Sequence, residues 1–365
     1  MAISPDVVAT ALQDLAPGYS ELFSLYHPIL ERVVKRGNMD RATLKGPYRE
    51  FVTVSGGPGT VTQVATGSEI IAGGRTQSSQ RGSAYAPRLI YAFDVPGKDM
   101  AEANGENDLA KIIKNYPELA LSDFHERVSN QIASGNGAGV GGFLTLNGDA
   151  QYSPSPGLAT ATNRQGVFEF AGSAAQNDTV FGLAKQGAAG GINGWYNQYG
   201  QISSFATDGR QTMRQVYYAA SRQGSMASGP VDLLLGDEVS YLNYIDDLDD
   251  QVRVMKIDGD KAPKAIRQGI PFLEADFFLE ESINLAQFGA PGGGNLGVIY
   301  MLKTDTWHMY TLGHDSNMET KGDFAVRGPI RIPEQDMWRY EYVLNMGLYC
   351  DQLRANGVVV GGTVP

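Results

Sequence analysis

Two strand-like segments joined by a long polar stretch most constrain what this chain can fold into. Residues 48–64 (YREFVTVSGGPGTVTQV) and 84–95 (AYAPRLIYAFDV) are rich in Val, Tyr, Phe and Thr, which favours β-strands. The Gly-rich segment between them, TGSEIIAGGRTQSSQRGS, predicts a large exposed tip. A two-stranded hairpin of this length has no core of its own and is only marginally stable in water. The pattern therefore predicts a hairpin that lies on another surface.

The longest helical pattern follows, between Asn107 and Ser134. Its apolar residues recur at helical spacing on one face: Leu109, Ile112, Ile113, Tyr116, Leu121, Phe124, Val128 and Ile132. Pro117 kinks or restarts the helix. The pattern predicts a rod of about 25 residues, roughly 38 Å long at 1.5 Å per residue.

The rod runs into a glycine-rich segment, residues 134–146 (SGNGAGVGGFLTL). Gly137, Gly139 and Gly142 spell G-x-G-x-x-G, the letters of a dinucleotide-binding loop. Such a loop must follow a strand and open a helix, and here the order is reversed. The glycines are therefore interpreted as a helix stop, and no cofactor is predicted.

The rest of the chain predicts a mixed domain with an arm before it. Residues 5–36 hold short helical fragments broken by prolines and are interpreted as an arm, not as part of a packed domain. Two further helices are predicted, one over 205–224 with Asp208 or Thr207 as the N-cap and one beginning at Asp237. Strands are predicted at 231–236, 270–279, 297–311 and 337–349.

Charge and composition exclude several functions. The net charge of −11 and pI near 4.9 argue against a general nucleic-acid-binding surface. No apolar run approaches the 18 residues of a membrane span. The single cysteine, Cys350, lies in an apolar, Tyr-rich segment, which predicts a buried, inert thiol.

No catalytic or metal-binding motif is evident, and the sequence predicts a protein that is not an enzyme. The spacing of His27, His125, His308 and His314 matches no metal motif, and His308, His314 and Asp315 come closest. The run DDLDD at 246–250 lacks the glycine of a calcium loop and predicts a solvated helix end. Neither a nucleophile elbow nor a phosphate-binding loop is found.

The polar tip carries the candidate contact residues. Arg75 and Arg81 are isolated cations near the tip, and Glu69 lies on the same segment. In so acidic a protein, these side chains are candidates for inter-subunit contacts with a neighbouring copy. The alternative is that they are merely the solvated side chains of a loop.

The order of these elements resembles that of tailed-phage major capsid proteins with the Hong Kong 97 (HK97-like) fold. The resemblance rests on the arm, the hairpin, the long helix ending in IASGNGAGVGGFL, the segment TDGRQTMRQVYYAASRQGSMASGPVDLLLGDEVSYLNYID, and the ending MWRYEYVLNMGLYCDQLRANGVVVGGT. It implies an α+β fold with an N-terminal arm (1–50), an E-loop hairpin (51–96) and a peripheral domain with a spine helix (97–142 and 322–350). An axial domain (143–321) and a C-terminal tail (351–365) complete it.

The resemblance also implies a function. It predicts self-assembly into hexamers and pentamers of an icosahedral shell that matures from a procapsid in the host bacterial cytoplasm. The shell would enclose double-stranded DNA without sequence-specific binding. Its expected partners are further copies of the chain, a separate scaffolding protein, a portal and a decoration protein, with no membrane. Some family members crosslink through an E-loop lysine, but no lysine occurs between Lys45 and Lys98, so crosslinking is not expected.

Two alternatives remain open at this point. The same fold serves encapsulin-type nanocompartment shells, which hold an enzyme cargo. A different class is a β-rich enzyme or glycan-binding module, with its site in residues 147–204, where Trp195 and nearby tyrosines would stack on sugars.

Overall fold

A computed structural model describes residues 28–42, 48–54, 79–85, 88–98, 119–124, 127–128, 167–169, 172–176, 179–223, 229–249, 269–280, 297–312, 324–333 and 335–361. The contacts divide the chain into two compact units. Unit 1 comprises residues 1–49, 85–145 and 307–349, and unit 2 comprises residues 50–84, 146–306 and 350–365.

Three α-helices and fifteen strands have defined bounds among the described residues. The helices are α1 (Pro28–Lys35), α2 (Arg210–Gln223) and α3 (Glu238–Asp249). The strands are β1 (Met39–Ala42), β2 (Tyr48–Val54), β3 (Ser79–Tyr85), β4 (Arg88–Pro96), β5 (Thr179–Val180), β6 (Leu183–Ala184), β7 (Gln198–Ile202), β8 (Leu233–Gly236), β9 (Ile270–Phe272), β10 (Ala275–Leu279), β11 (Val298–Leu302), β12 (Trp307–Leu312), β13 (Phe324–Arg331), β14 (Met337–Cys350) and β15 (Gly357–Gly361).

Unit 1 is built on the long strand β14. The sheet order is β1-β12-β14-β13, and β4 also pairs with β14. Tyr340 and Tyr342 of β14 are fully buried, and the Phe93 ring of β4 lies 5.7 Å and 5.0 Å from their ring centroids. The strand predicted over 337–349 is thus confirmed as the aromatic core of this sheet.

Part of the predicted arm is packed into unit 1. Pro28 begins α1, a position where its missing N–H costs nothing, and Ile29, Leu30 and Val33 are buried. Strand β1 then pairs in parallel with β12, with Met39 opposite Met309. The interpretation of residues 5–36 as an arm outside any packed domain is therefore wrong for α1, because its apolar face is covered. Residues 1–27 lie outside the described residues.

The described part of the predicted rod is helical at residues 119–124 and 127–128. Its predicted apolar face is buried at Leu121, Phe124 and Val128. The Phe124 ring lies 5.8 Å from that of Tyr91 and 6.5 Å from that of Tyr342, so this face packs on the sheet of unit 1. The remainder of the rod and the Gly137–Gly142 segment lie outside the described residues.

The predicted pairing of the hairpin strands is wrong. Strand β2 pairs with β3, whereas β4, which covers most of the segment predicted as the return strand, pairs antiparallel with β14 from Arg88 to Pro96. The core of unit 1 favours this pairing, because Val95 of β4 is buried and the Phe93 ring stacks on the Tyr340 ring of β14. The return strand β3 (SQRGSAY) is polar and has little β-propensity of its own.

Unit 2 is built on a six-stranded mixed sheet in the order β7-β15-β11-β8-β10-β9. Helices α2 and α3 supply Met213, Val216, Tyr217, Ala220 and Tyr244 to its hydrophobic cluster. The predicted buried strand at 231–236 is confirmed as β8, whose four residues are all buried. The predicted C-terminal tail (351–365) is corrected at β15, because this strand is buried between β7 and β11.

Side chains set the bounds of the elements in unit 2. Asp237 caps α3 as predicted, accepting hydrogen bonds from the backbone N–H groups of Val239 and Ser240, and it also accepts one from Val298 at 2.8 Å. Burial raises the pKa of this carboxyl above its ordinary value.

The predicted N-cap at Asp208 is wrong. Its carboxylate instead accepts hydrogen bonds from the backbone N–H groups of Ser203 and Ser204, which precede it in the chain.

The strand predicted over 297–311 is broken into β11 and β12. A short 3₁₀ turn over Thr304–Thr306 separates them, and β11 belongs to unit 2 while β12 belongs to unit 1. The Asp232 carboxylate fixes the turn by accepting from the Thr304 N–H at 2.8 Å and from its Oγ1 at 2.5 Å. Because this partner is distant in sequence, no local pattern marks the break.

A buried ion pair supports the loop-rich segment of unit 2 before β7. Lys185 Nζ lies 3.2 Å from Glu169 Oε1, with the two side chains 0% and 5% exposed. The ammonium also donates to the Val167 carbonyl at 3.1 Å. Asn197 accepts from the backbone N–H of Glu169 and donates to its C=O, so the backbone of this residue is held by buried hydrogen bonds.

Candidate assembly surfaces

The base of the β2–β3 hairpin has one covered and one open face. Phe51 and Thr53 of β2 are buried, whereas Glu50 and Val52, which alternate with them, are exposed. This alternation has the period of two that is typical of a half-buried strand. The hairpin base is therefore anchored on one side and available to a partner on the other.

The covered face is attached to unit 2 by three contacts. The Phe51 ring meets the Phe181 ring edge-on at 5.7 Å. The Ser83 N–H donates to the Phe181 carbonyl at 2.9 Å, and the Thr53 hydroxyl donates to the Asp351 carbonyl at 2.7 Å. Both strands of the hairpin are thus bound to the body of their own chain.

Phe181 is presented by a tight turn between β5 and β6. Phe181 and Gly182 have φ values of 55° and 75°, as both central residues of a type I′ hairpin turn require. A bulky residue in this region is uncommon, and its aromatic contact with Phe51 accounts for its position. Sequence reasoning missed this anchor, although the apolar residues that flank the Phe181-Gly182 pair are a hairpin signal.

Gly82 makes the approach of the two hairpin strands possible. A Cβ at this position would lie 2.6 Å from Cζ of the Phe51 ring. The ring therefore lies flat on the glycine backbone of β3. Any side chain at this position would displace the aromatic anchor.

Replacing Phe51 with alanine is expected to loosen the hairpin base. Removal of a buried phenylalanine costs about 3 kcal/mol, which corresponds to roughly a hundredfold increase in local opening. Hydrogen exchange at the Ser83 amide should accelerate by about this factor. The matched control is Val52→Ala on the open face of the same strand, which should leave Ser83 exchange unchanged. Equal exchange in both variants would contradict the assignment of Phe51 as the anchor.

The open face carries Arg81, one of the predicted inter-subunit contact residues. Its guanidinium lies 3.9 Å from the Glu50 carboxylate of the same chain, and both side chains are largely exposed. An exposed pair of this kind contributes about 0–1 kcal/mol, so it does not prevent Arg81 from contacting a neighbour. Glu69 and Arg75 lie outside the described residues. The role of all three in inter-subunit contact stays a prediction.

The described candidates for a metal or sugar site occupy packed or ion-paired positions. Within the described ranges, no three His, Cys, Asp or Glu side chains form a group that could hold a metal ion. His308 stacks on Tyr349 with ring centroids 5.2 Å apart, and Asp247 of the DDLDD run forms an ion pair with Arg210 at 2.6 Å. Trp195 is 1% exposed, so it cannot stack on a sugar as the glycan-binding alternative requires.

Among the described residues, none belongs to a helix with both the length and the apolar character needed to cross a bilayer.

Cys350 lies at the end of β14 and is buried, as predicted. Burial raises the pKa of the thiol far above its ordinary value. Asn356 Nδ2 donates to Cys350 Sγ at 3.4 Å and to Thr306 Oγ1 at 3.0 Å. The cysteine is therefore a packing residue within a buried polar cluster.

The reactivity of Cys350 is expected to report unfolding of unit 2. Because only the exposed thiolate reacts, a disulfide reagent should modify the folded protein at least about a thousandfold more slowly than the urea-unfolded chain. The measurement is the rate of thiol modification with increasing urea. Rapid modification without urea would show that the thiol is accessible in the folded state.

Similarity to known proteins lies in the fold and not in the sequence. No protein-family model matches the chain, and no curated protein sequence matches it. A chain of the cyanophage A-1(L) capsid asymmetric unit superposes with a TM-score of 0.52 at 12% identity, covering 93% of this chain and 94% of that chain.

Two further solved structures have lower scores. The capsid of Myoviridae phage XM1 aligns with a TM-score of 0.45 at 9% identity, covering 90% of each chain. An encapsulin complex from Synechococcus elongatus aligns with a TM-score of 0.48 at 10% identity, covering 93% of this chain and 89% of that chain. The match to the cyanophage capsid chain confirms the predicted α+β fold of the HK97-like type, since it extends over nearly the whole length of both chains.

Proposed function

We propose that this chain is the major capsid protein of a tailed bacteriophage and assembles as hexamers and pentamers into an icosahedral shell around double-stranded DNA. The observation that carries the proposal is the fold shared with the cyanophage A-1(L) capsid chain over 93% of this chain. The identity of 12% supports the fold alone, so the function needs a direct test.

The anchored hairpin supports an assembly role on independent physical grounds. The contacts of Phe51, Thr53 and Ser83 fix the base of the hairpin to its own chain, while Val52 and Arg81 remain exposed on the other face. A rigid base with an open face is suited to carry the segment between β2 and β3 toward a neighbouring copy. Obligate interfaces between subunits bury about 2,000–5,000 Å², and such contacts are repeated by the symmetry of a closed shell.

The charge of the chain is consistent with an enclosed but unbound DNA. A net charge of −11 repels the phosphate backbone and leaves no general attraction between the shell and its contents. In this proposal a separate scaffolding protein and a portal direct assembly in the host cytoplasm, the shell matures from a procapsid, and decoration proteins are optional additions to the virion capsid.

Electron microscopy of the purified protein, alone and after co-expression with scaffolding candidates encoded beside it, tests the proposal. Closed shells with five-fold and six-fold capsomers are expected, and terminase and portal genes nearby would support the phage assignment. Closed shells that enclose an enzyme cargo would instead identify an encapsulin-type compartment. A monodisperse monomer under all these conditions would contradict any shell function.

The assembled shells are expected to be held by non-covalent contacts. Boiling in detergent with reductant should return only the 39.3 kDa monomer on a denaturing gel, because no lysine lies between Lys45 and Lys98. A shell stabilised by isopeptide bonds would give a ladder of oligomers. A ladder in the reduced, boiled sample would therefore contradict the expectation.

A further inference from the structure

Helix α2 presents a basic stripe to solvent. Arg214, Tyr218 and Arg222 follow one another at intervals of four residues, and all three are exposed. Side chains at this spacing lie on one helix face, so the stripe extends over about 12 Å. Tyr218 is 55% exposed although large apolar side chains are usually covered. These three residues are called the basic stripe below.

Helix α3 presents a stripe of the opposite charge with the same spacing. Glu238, Leu242 and Asp246 follow one another at intervals of four residues and are exposed, Leu242 at 50%. In chain order, these side chains are acidic, apolar and acidic, whereas those of the basic stripe are basic, aromatic and basic. These three residues are called the acidic stripe.

The charges of both stripes are available to a partner. Within the described part of the chain, none of the four charged stripe residues takes part in an ion pair, although the neighbouring Arg210 and Asp247 form one at 2.6 Å. The two helices cover the sheet of unit 2 with their opposite, buried faces, which contribute Met213, Val216 and Tyr244 to its core. The stripe residues are not members of this buried core.

We infer that the basic stripe of one copy docks on the acidic stripe of a second copy of this chain, with Tyr218 against Leu242 between two flanking ion pairs. The inference rests on the proposed function and assigns one of its inter-subunit contacts. Equal length, equal spacing and opposite charge favour a second copy over any other partner. A nucleic acid fits less well, because the acidic stripe and the net charge of −11 would repel it.

Charge reversal tests the contact. The variant Arg214→Glu with Arg222→Glu makes both stripes acidic, and the variant Glu238→Lys with Asp246→Lys makes both basic. Each should raise the protein concentration required for assembly by about tenfold or more, because like charges face each other across the contact. Thermal unfolding and circular dichroism of the unassembled variants check that the subunits remain folded.

Restoring opposite charges should restore assembly. The variant that carries all four changes has swapped stripes and the wild-type net charge, and it should assemble at nearly the wild-type concentration. A matched control combines the basic-stripe reversal with Glu274→Lys and Asp336→Lys, two exposed acids outside the stripes. This control has the same net charge but no complementary stripe, so it should not be rescued.

Mixing the two stripe-reversed variants provides a second test, which shows whether the partner is another copy of this chain. Equal amounts of the two stripe-reversed variants should form complexes that contain both chains, as measured by sedimentation of differently tagged copies. Normal assembly of both reversed variants would overturn the inference while leaving the proposed function intact. If the basic-stripe reversal assembled into shells that failed to retain DNA, while the acidic-stripe reversal retained it, the inference would be overturned in favour of a nucleic-acid contact. A wild-type protein that never assembles would contradict the proposed function itself.

Discussion

Replacing residues 57–76 with a short Gly-Ser turn is expected to leave a folded subunit that no longer forms shells. The replaced segment lies between β2 and β3, so the Phe51, Thr53 and Ser83 contacts that hold the hairpin base are retained. The subunit should therefore keep its thermal unfolding transition. Without the segment that we propose to lie across a neighbour, an interface of the obligate class loses a large share of its area, and assembly should fail entirely.

The choice of bounds matters for this experiment. A deletion that extended to residue 83 would also remove Gly82 and Ser83, and would detach the hairpin base from unit 2. A second variant of unchanged length, with residues 57–76 replaced by Gly and Ser only, separates the effect of side chains from that of chain length. Intact shells from the shortened variant in electron micrographs would remove the hairpin tip from the assembly mechanism.

Replacing Lys185 with methionine is expected to have the largest effect on stability. The change leaves the Glu169 carboxylate without the ammonium that lies 3.2 Å away, in a site where the side chain is 5% exposed. Breaking a buried pair by removal of one partner costs about 3–5 kcal/mol. Urea unfolding followed by tryptophan fluorescence is the measurement, since buried Trp195 belongs to the same segment and its carbonyl accepts from the Gln186 N–H.

The double variant Lys185→Met with Glu169→Leu is the control. It removes both charges, and replacement of a buried pair by apolar residues is often neutral. The double variant should therefore unfold within about 1 kcal/mol of the wild type and well above the single variant. If the single and double variants were equally unstable, the loss would come from packing and not from removal of the ammonium partner of Glu169.

Local patterns in the sequence predict the elements of unit 2 well. Residues Leu233–Gly236 form a continuous apolar run of strand length, and Asp237 stands where a helix needs a cap. The period of Met213, Val216, Tyr217 and Ala220 identifies the buried face of α2. In each case the deciding interaction lies within a few residues of the chain, so composition and spacing are sufficient.

Partners that are distant in sequence could not be predicted in this way. The residues of β4 read as a strand, but nothing in them distinguishes pairing with β2 from the observed pairing with β14. The break before β12 depends on Asp232, which lies far from Thr304 along the chain. The same limit applies to the candidate site, because the anchor at Phe51 requires the turn at Phe181 and the glycine at position 82.

The position of β15 sets the timing of folding relative to protein synthesis. This strand follows every other described strand along the chain, yet it lies between β7 and β11 and is the strand with which β7 pairs in parallel. While a ribosome is still translating the chain before residue 357, the sheet of unit 2 remains open between these strands. The surface that carries α2 and α3 is therefore completed only after residues 357–361 have been synthesised.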